Sequence, residues 1–129
     1  MDYLIVYNGE PIGTIVSPRA DASMGMVHGP FMPLPAYEKV RAVFRLFSEA
    51  TGMGNGTGYP DDPEKLRRFY AERDALDLSV TTRDGLPIPT AWAHVYDFSE
   101  ERGETGYEGE FNVASAEFFG DARLWANPG

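Results

Sequence analysis

Tyr3-Leu4-Ile5-Val6-Tyr7-Asn8-Gly9-Glu10-Pro11-Ile12-Gly13-Thr14-Ile15-Val16 is the stretch that decides the fold class. Two runs rich in β-branched and aromatic residues flank Asn8-Gly9, a dipeptide whose residues both accept positive φ at low cost. Residues 2–17 therefore read as a β-hairpin, with strands over Tyr3 to Tyr7 and Ile12 to Val16. Pro11 falls just after the turn, where a missing N–H matters little. Tyr3, Ile5 and Tyr7 alternate with Leu4 and Val6, so both faces of the first strand are expected to be at least partly covered.

C-terminal to the hairpin, Pro18, Pro30, Pro33 and Pro35 each remove a donor, and Gly25 and Gly29 loosen the chain. Residues 18–35 read as an irregular segment packed down by Met24, Met26, Val27, Phe31 and Met32, with room for a short strand at Met26–Val27. A helix is expected over about 35–50. Tyr37, Val40, Val43, Phe44 and Phe47 recur at spacings of three and four and form its apolar stripe. Glu38, Arg41, Arg45 and Glu49 take the other side, with Glu38–Arg41 and Arg45–Glu49 as candidate ion pairs. A second helix starts with Asp62 as N-cap and Pro63 in its first position, and runs to about Ala75. Its stripe of Leu66, Phe69, Tyr70 and Arg73 is narrow, so this helix is expected to be half exposed.

The last third returns to strands: Asp77 to Thr82, then Ala91 to Phe98, then Tyr107 to Val113. Leu86-Pro87-Ile88-Pro89 is a poor ladder, Ser99 to Thr105 a polar turn, and Glu117-Phe118-Phe119 a short helical turn. Strands at both ends with helices between predict one α+β domain over residues 1–129. Its parts are an antiparallel β-sheet, two helices, an N-terminal β-hairpin and C-terminal strands, with a tail that frays beyond Trp125.

Composition narrows the function classes. A chain of 129 residues with 43% apolar and 13% aromatic residues can bury a core and is not a disordered polymer. The absence of cysteine removes disulfides, thiolate metal sites and cysteine nucleophiles. A net charge of −9, from 20 acids and 11 bases, makes nucleic acid a poor partner. Met1 to Tyr7 lacks a basic leader, no stretch is long and apolar enough to span a bilayer, and no basic amphipathic helix is present. A cytoplasmic chain with no membrane attachment is expected.

No motif identifies an activity. Gly52, Gly54, Gly56 and Gly58 precede a helix but match neither phosphate-loop spacing nor its lysine, so the run reads as a connector. No serine lies in a Gly-x-Ser-x-Gly elbow. His94 and Asp97 lie three apart on an expected strand and so face opposite sides. With His28 they are the candidate catalytic residues, and His94 with Glu100, Glu101 and Glu104 could draw a hard cation. The plain alternative is a half-buried strand histidine beside Trp92 and Tyr96. No cofactor is implied.

Charge distribution is the most informative feature. Residues 97–129 carry eight acids (Asp97, Glu100, Glu101, Glu104, Glu108, Glu110, Glu117, Asp121) against two bases (Arg102, Arg123). Interleaved aromatics are typical of interface centres. The leading expectation is therefore a non-enzymatic interaction module that docks a basic protein, in the manner of an immunity or antitoxin protein. Its surface would be Glu100, Glu101, Glu104, Tyr96, Phe98, Tyr107 and Glu108. The alternative is a small enzyme or metal-binding domain using His94, Asp97 and His28. A third class is a small-ligand binder lined by Trp92, Tyr96 and the Met24–Met32 segment.

The blocks Met24 to Phe31, Pro33 to Glu38, Leu78 to Gly85 and His94 to Glu101 resemble small bacterial proteins of unassigned function. Asp97-Phe98-Ser99-Glu100-Glu101 is the most specific of them, and the glycine run lies outside them. The resemblance implies a free-standing bacterial cytoplasmic domain and carries over no catalytic residue.

Overall fold

A computed structural model describes residues 1–51 and 62–125. The glycine run and the tail beyond Trp125 lie outside them. The chain forms β1 (Tyr3–Tyr7), β2 (Glu10–Ile15), β3 (Arg19–Asp21), β4 (Met26–Pro33), a 3₁₀ turn (Pro35–Lys39), α1 (Arg41–Thr51) and α2 (Pro63–Leu76). It continues with β5 (Ser79–Thr82), β6 (Pro87–Ile88), β7 (Thr90–Asp97), α3 (Ser99–Arg102), a 3₁₀ turn (Gly103–Thr105), β8 (Tyr107–Val113) and a last 3₁₀ turn (Ala116–Gly120). The eight strands make one antiparallel sheet in the order β6-β5-β1-β2-β4-β8-β7, with β3 paired to β4, and the sheet curls until it is nearly a barrel. This is the α+β architecture expected. No helix among the described residues is long and apolar enough to cross a membrane.

Asn8 and Gly9 both adopt positive φ, and Tyr7 pairs directly with Glu10 across them. The register then slips between Ile5 and Val6, which turns Ile12 fully inward. Inside the barrel Tyr3, Ile5, Ile12, Ile15, Val27, Phe31, Phe111 and Val95 are almost wholly buried. The Phe31 ring lies directly over Gly13, and any side chain there would run into it.

Several expectations need correction. Residues 18–35 are not irregular: they form the β3–β4 hairpin, and β4 is a long central strand. Its prolines are tolerated because Pro30 sits where β4 changes partners and needs only its carbonyl, which accepts from the Val16 N–H. The first helix is a 3₁₀ turn followed by α1, with Val40 between them. Ser99 to Thr105 winds into α3 and a 3₁₀ turn, because Phe98 O accepts from two successive N–H groups. Pro87–Ile88 does ladder, over two residues against β5. The Asp62 cap of α2 is as expected, its carboxylate accepting from the N–H groups of Glu64 and Lys65.

Candidate functional site

The outer faces of β4, β8 and β7 form one surface. Antiparallel register places Met26, Asn112 and Trp92 in one row, His28, Glu110 and His94 in the next, and Pro30, Glu108 and Tyr96 in a third. Strand alternation sends Ala93, Val95 and Asp97 to the opposite, inner side. His28 and His94 thus share a face, on strands separated by β8, and Asp97 does not join them. Among the described residues no cluster of three or more His, Asp or Glu side chains has the geometry to hold a metal ion.

The inner cluster at the end of β7 is self-contained. Asp97 is wholly buried, and its carboxylate accepts from Tyr37 Oη at 2.6 Å, Ser99 Oγ at 2.5 Å, the Ser99 N–H at 3.0 Å and Arg41 at 3.3 Å. Arg41 also donates to Tyr107 Oη at 2.7 Å and to Glu38. Burial and the Asp97 carboxylate push the Tyr37 phenol far above its usual range. Every group has a partner, as a structural network requires.

Part of the expected acidic surface is also paired, although the buried Arg45 Nε has no hydrogen-bond partner among the described residues. Arg45, only 9% exposed, leaves the polar face of α1 and donates to Asp97 O at 2.6 Å, Glu100 at 2.9 Å and Glu101 at 3.0 Å. The expected Arg45–Glu49 pair is replaced by this one, and Glu49 faces Lys65 at 3.9 Å. Burial opposes the Arg45 charge, and the two carboxylates outweigh it, holding its pKa up. Phe98 is buried and stacks on Tyr96. Glu108 pairs with His28 Nδ1 at 3.1 Å. Glu104 makes no ion pair among the described residues.

The outer face behaves differently. Phe44 and Phe47 of α1 and Phe69 of α2 pack onto His94, with Tyr96 beside it at a centroid distance of 4.3 Å. His94 is 3% exposed, and neither ring nitrogen has a hydrogen-bond partner among the described residues. Burial, reinforced by the Arg73 guanidinium, lowers its pKa from 6.5 to about 3, so the ring is neutral at pH 7. Beside it opens a cavity of about 390 Å³ between α2 and the sheet, lined by Met24, Met26, Phe47, Phe69, Tyr70, Arg73, Trp92, His94, Tyr96 and Glu110. Arg73 lies 5.4, 5.3 and 5.5 Å from the ring centroids of Phe69, Tyr70 and Trp92. Among the described residues its buried Nε has no hydrogen-bond partner, and its ion pair is a 3.4 Å contact to the largely exposed Asp74. Glu110 is half-buried and accepts from Tyr96 Oη at 3.2 Å, and burial pushes its pKa up. Met24, 69% exposed, and Tyr70 stand at the rim.

The sequence expectation of a ligand site lined by Trp92, Tyr96 and the Met24–Met32 segment includes neither Arg73 nor Glu110, and it keeps His94 in a separate set with Asp97 and His28. Arg73 was visible only as the last member of the α2 stripe, where a cation among apolar residues is the available signal. Comparison with protein-family models, curated proteins and solved structures finds no match to this chain.

Proposed function

We propose that this chain is a small-ligand-binding domain whose site is the cavity between α2 and the outer face of β8 and β7. The observation that carries the reading is His94. Buried polar groups are nearly always hydrogen-bonded, and leaving one unpaired costs about 1–3 kcal/mol. Here His94, with two buried ring nitrogens, and Arg73, with a buried Nε, line the same cavity, and none of these nitrogens has a hydrogen-bond partner among the described residues. Few convergent polar groups in an aromatic-walled cavity of this volume is the usual make-up of a small-molecule site. The acidic docking reading draws less support, since Glu100 and Glu101 already neutralise Arg45 and Phe98 is buried.

A fragment screen read by ¹H–¹⁵N and aromatic ¹H–¹³C NMR tests the proposal. Shifts should concentrate at Trp92, Tyr96, Tyr70 and the His94 ring. Hits gathering instead around Glu100 to Glu108, or no hits at all, would overturn it.

A further inference from the structure

Resting on that reading of the cavity, we infer that its occupant is a small zwitterion with an aromatic body. An aromatic amino acid offers that combination, a carboxylate for Arg73 and an ammonium for Glu110.

Charge complementarity carries the assignment. The cavity wall holds one cation and one anion, on different elements: Arg73 on α2 and Glu110 on β8. Among the described residues Arg73 is only weakly paired, with a buried Nε that donates to none of them and a long contact to Asp74. Its guanidinium lies against three rings, and a planar guanidinium is the group suited to bidentate capture of a carboxylate. Glu110 Oε1 accepts from Tyr96, and its Oε2 accepts from nothing among the described residues. A simple anion would satisfy Arg73 but face the Glu110 carboxylate. A simple cation would satisfy Glu110 but face Arg73. A ligand with both signs leaves neither charge unpaired, and an unpaired buried charge is the costliest outcome.

The walls select the body. Phe47, Phe69, Tyr70, Trp92 and Tyr96 supply ring faces and edges, and aromatic pairs gain beyond their buried area. The neutral His94 ring lines the wall without adding charge.

Four probes separate the claims: L-phenylalanine, 3-phenylpropionate (no ammonium), phenethylamine (no carboxylate) and 2-phenylethanol (neither). Each is titrated by NMR, following the Trp92 indole and His94 ring signals. L-phenylalanine should bind best, with each charge deletion weakening binding roughly tenfold or more. In Arg73→Gln, L-phenylalanine should bind no better than phenethylamine. In Glu110→Gln, it should bind no better than 3-phenylpropionate. If either variant fails to fold, the wild-type series alone decides. Equal binding of all four probes would overturn the zwitterion and leave the cavity reading standing. A best probe of single charge would do the same. No shift of Trp92 or His94 with any probe up to about 10 mM overturns both.

Discussion

Acidification should destabilise this chain through His94. The ring has a pKa of about 3 in the folded state against 6.5 when freely solvated. The unfolded chain therefore takes up the proton first, and stability present above pH 6.5 is lost as pH falls toward about 3. Each pH unit below 6.5 removes about 1.4 kcal/mol, so the loss reaches about 2 kcal/mol near pH 5 and about 3.4 kcal/mol near pH 4. That is a large share of the roughly 5–15 kcal/mol typical of a domain. His94→Leu has nothing to protonate and suits the Phe44, Phe47 and Phe69 surroundings. Urea unfolding of both proteins, followed by far-ultraviolet circular dichroism from near pH 7 to near pH 4, gives the difference directly. Glu110 titrates in the opposite sense, since burial raises its pKa and favours the folded state as pH falls. It is present in both proteins and cancels from the difference, as does the constant charge of Arg73. The wild-type curve should fall away from the variant by about 1.4 kcal/mol per pH unit. Parallel curves, or a His94 ring that titrates near 6.5 in the folded protein, would refute the reasoning.

Two further substitutions probe the parts that hold the site in place. Tyr37→Phe removes the shortest bond from α1's side to the buried Asp97 carboxylate, and should cost about 1–3 kcal/mol in urea unfolding with the ligand site unchanged by NMR. Gly13→Ala drives a Cβ to within 2.1 Å of the Phe31 ring, so that ring must move within the barrel. A loss of about 1–3 kcal/mol with an altered near-ultraviolet spectrum is expected, and an unchanged melt would mean the ring is not packed there.

What was legible in the sequence follows the range of the forces that write it. Local rules found the Asn8-Gly9 turn, the Asp62 cap and the Tyr107–Val113 strand, each fixed by neighbours within a few residues. β4 was missed because its prolines argue against a central strand. Only the three-dimensional change of partners at Pro30 makes them harmless. Arg45 was placed on a solvated helix face because amphipathic counting knows nothing of Glu100 and Glu101, 55 and 56 residues away. The site suffered from the same blindness. His94 and Tyr96 are two residues apart on one strand, but Arg73 reaches them from α2 and Glu110 from β8.

The acidic bias of residues 97–129 takes on a different meaning in the folded chain. Asp97, Glu100 and Glu101 meet Arg41 and Arg45 of α1, Glu108 meets His28, Glu110 meets Tyr96, and Asp121 meets Arg123. Three of the eight acids, Asp97, Glu100 and Glu101, thus line a seam between α1 and the end of β7, with cations supplied by the earlier part of the sequence. Pairing lowers the local field but leaves the net charge at −9. That residual charge bears on the ligand. A free anion approaching Arg73 climbs a repulsive potential that salt screens over about 8 Å at physiological ionic strength. A zwitterion carries no net charge and meets no such barrier. The advantage of L-phenylalanine over 3-phenylpropionate should then divide into two parts. One appears in the association rate and fades with added salt, and the other appears in the dissociation rate, persists in salt and disappears with Glu110→Gln.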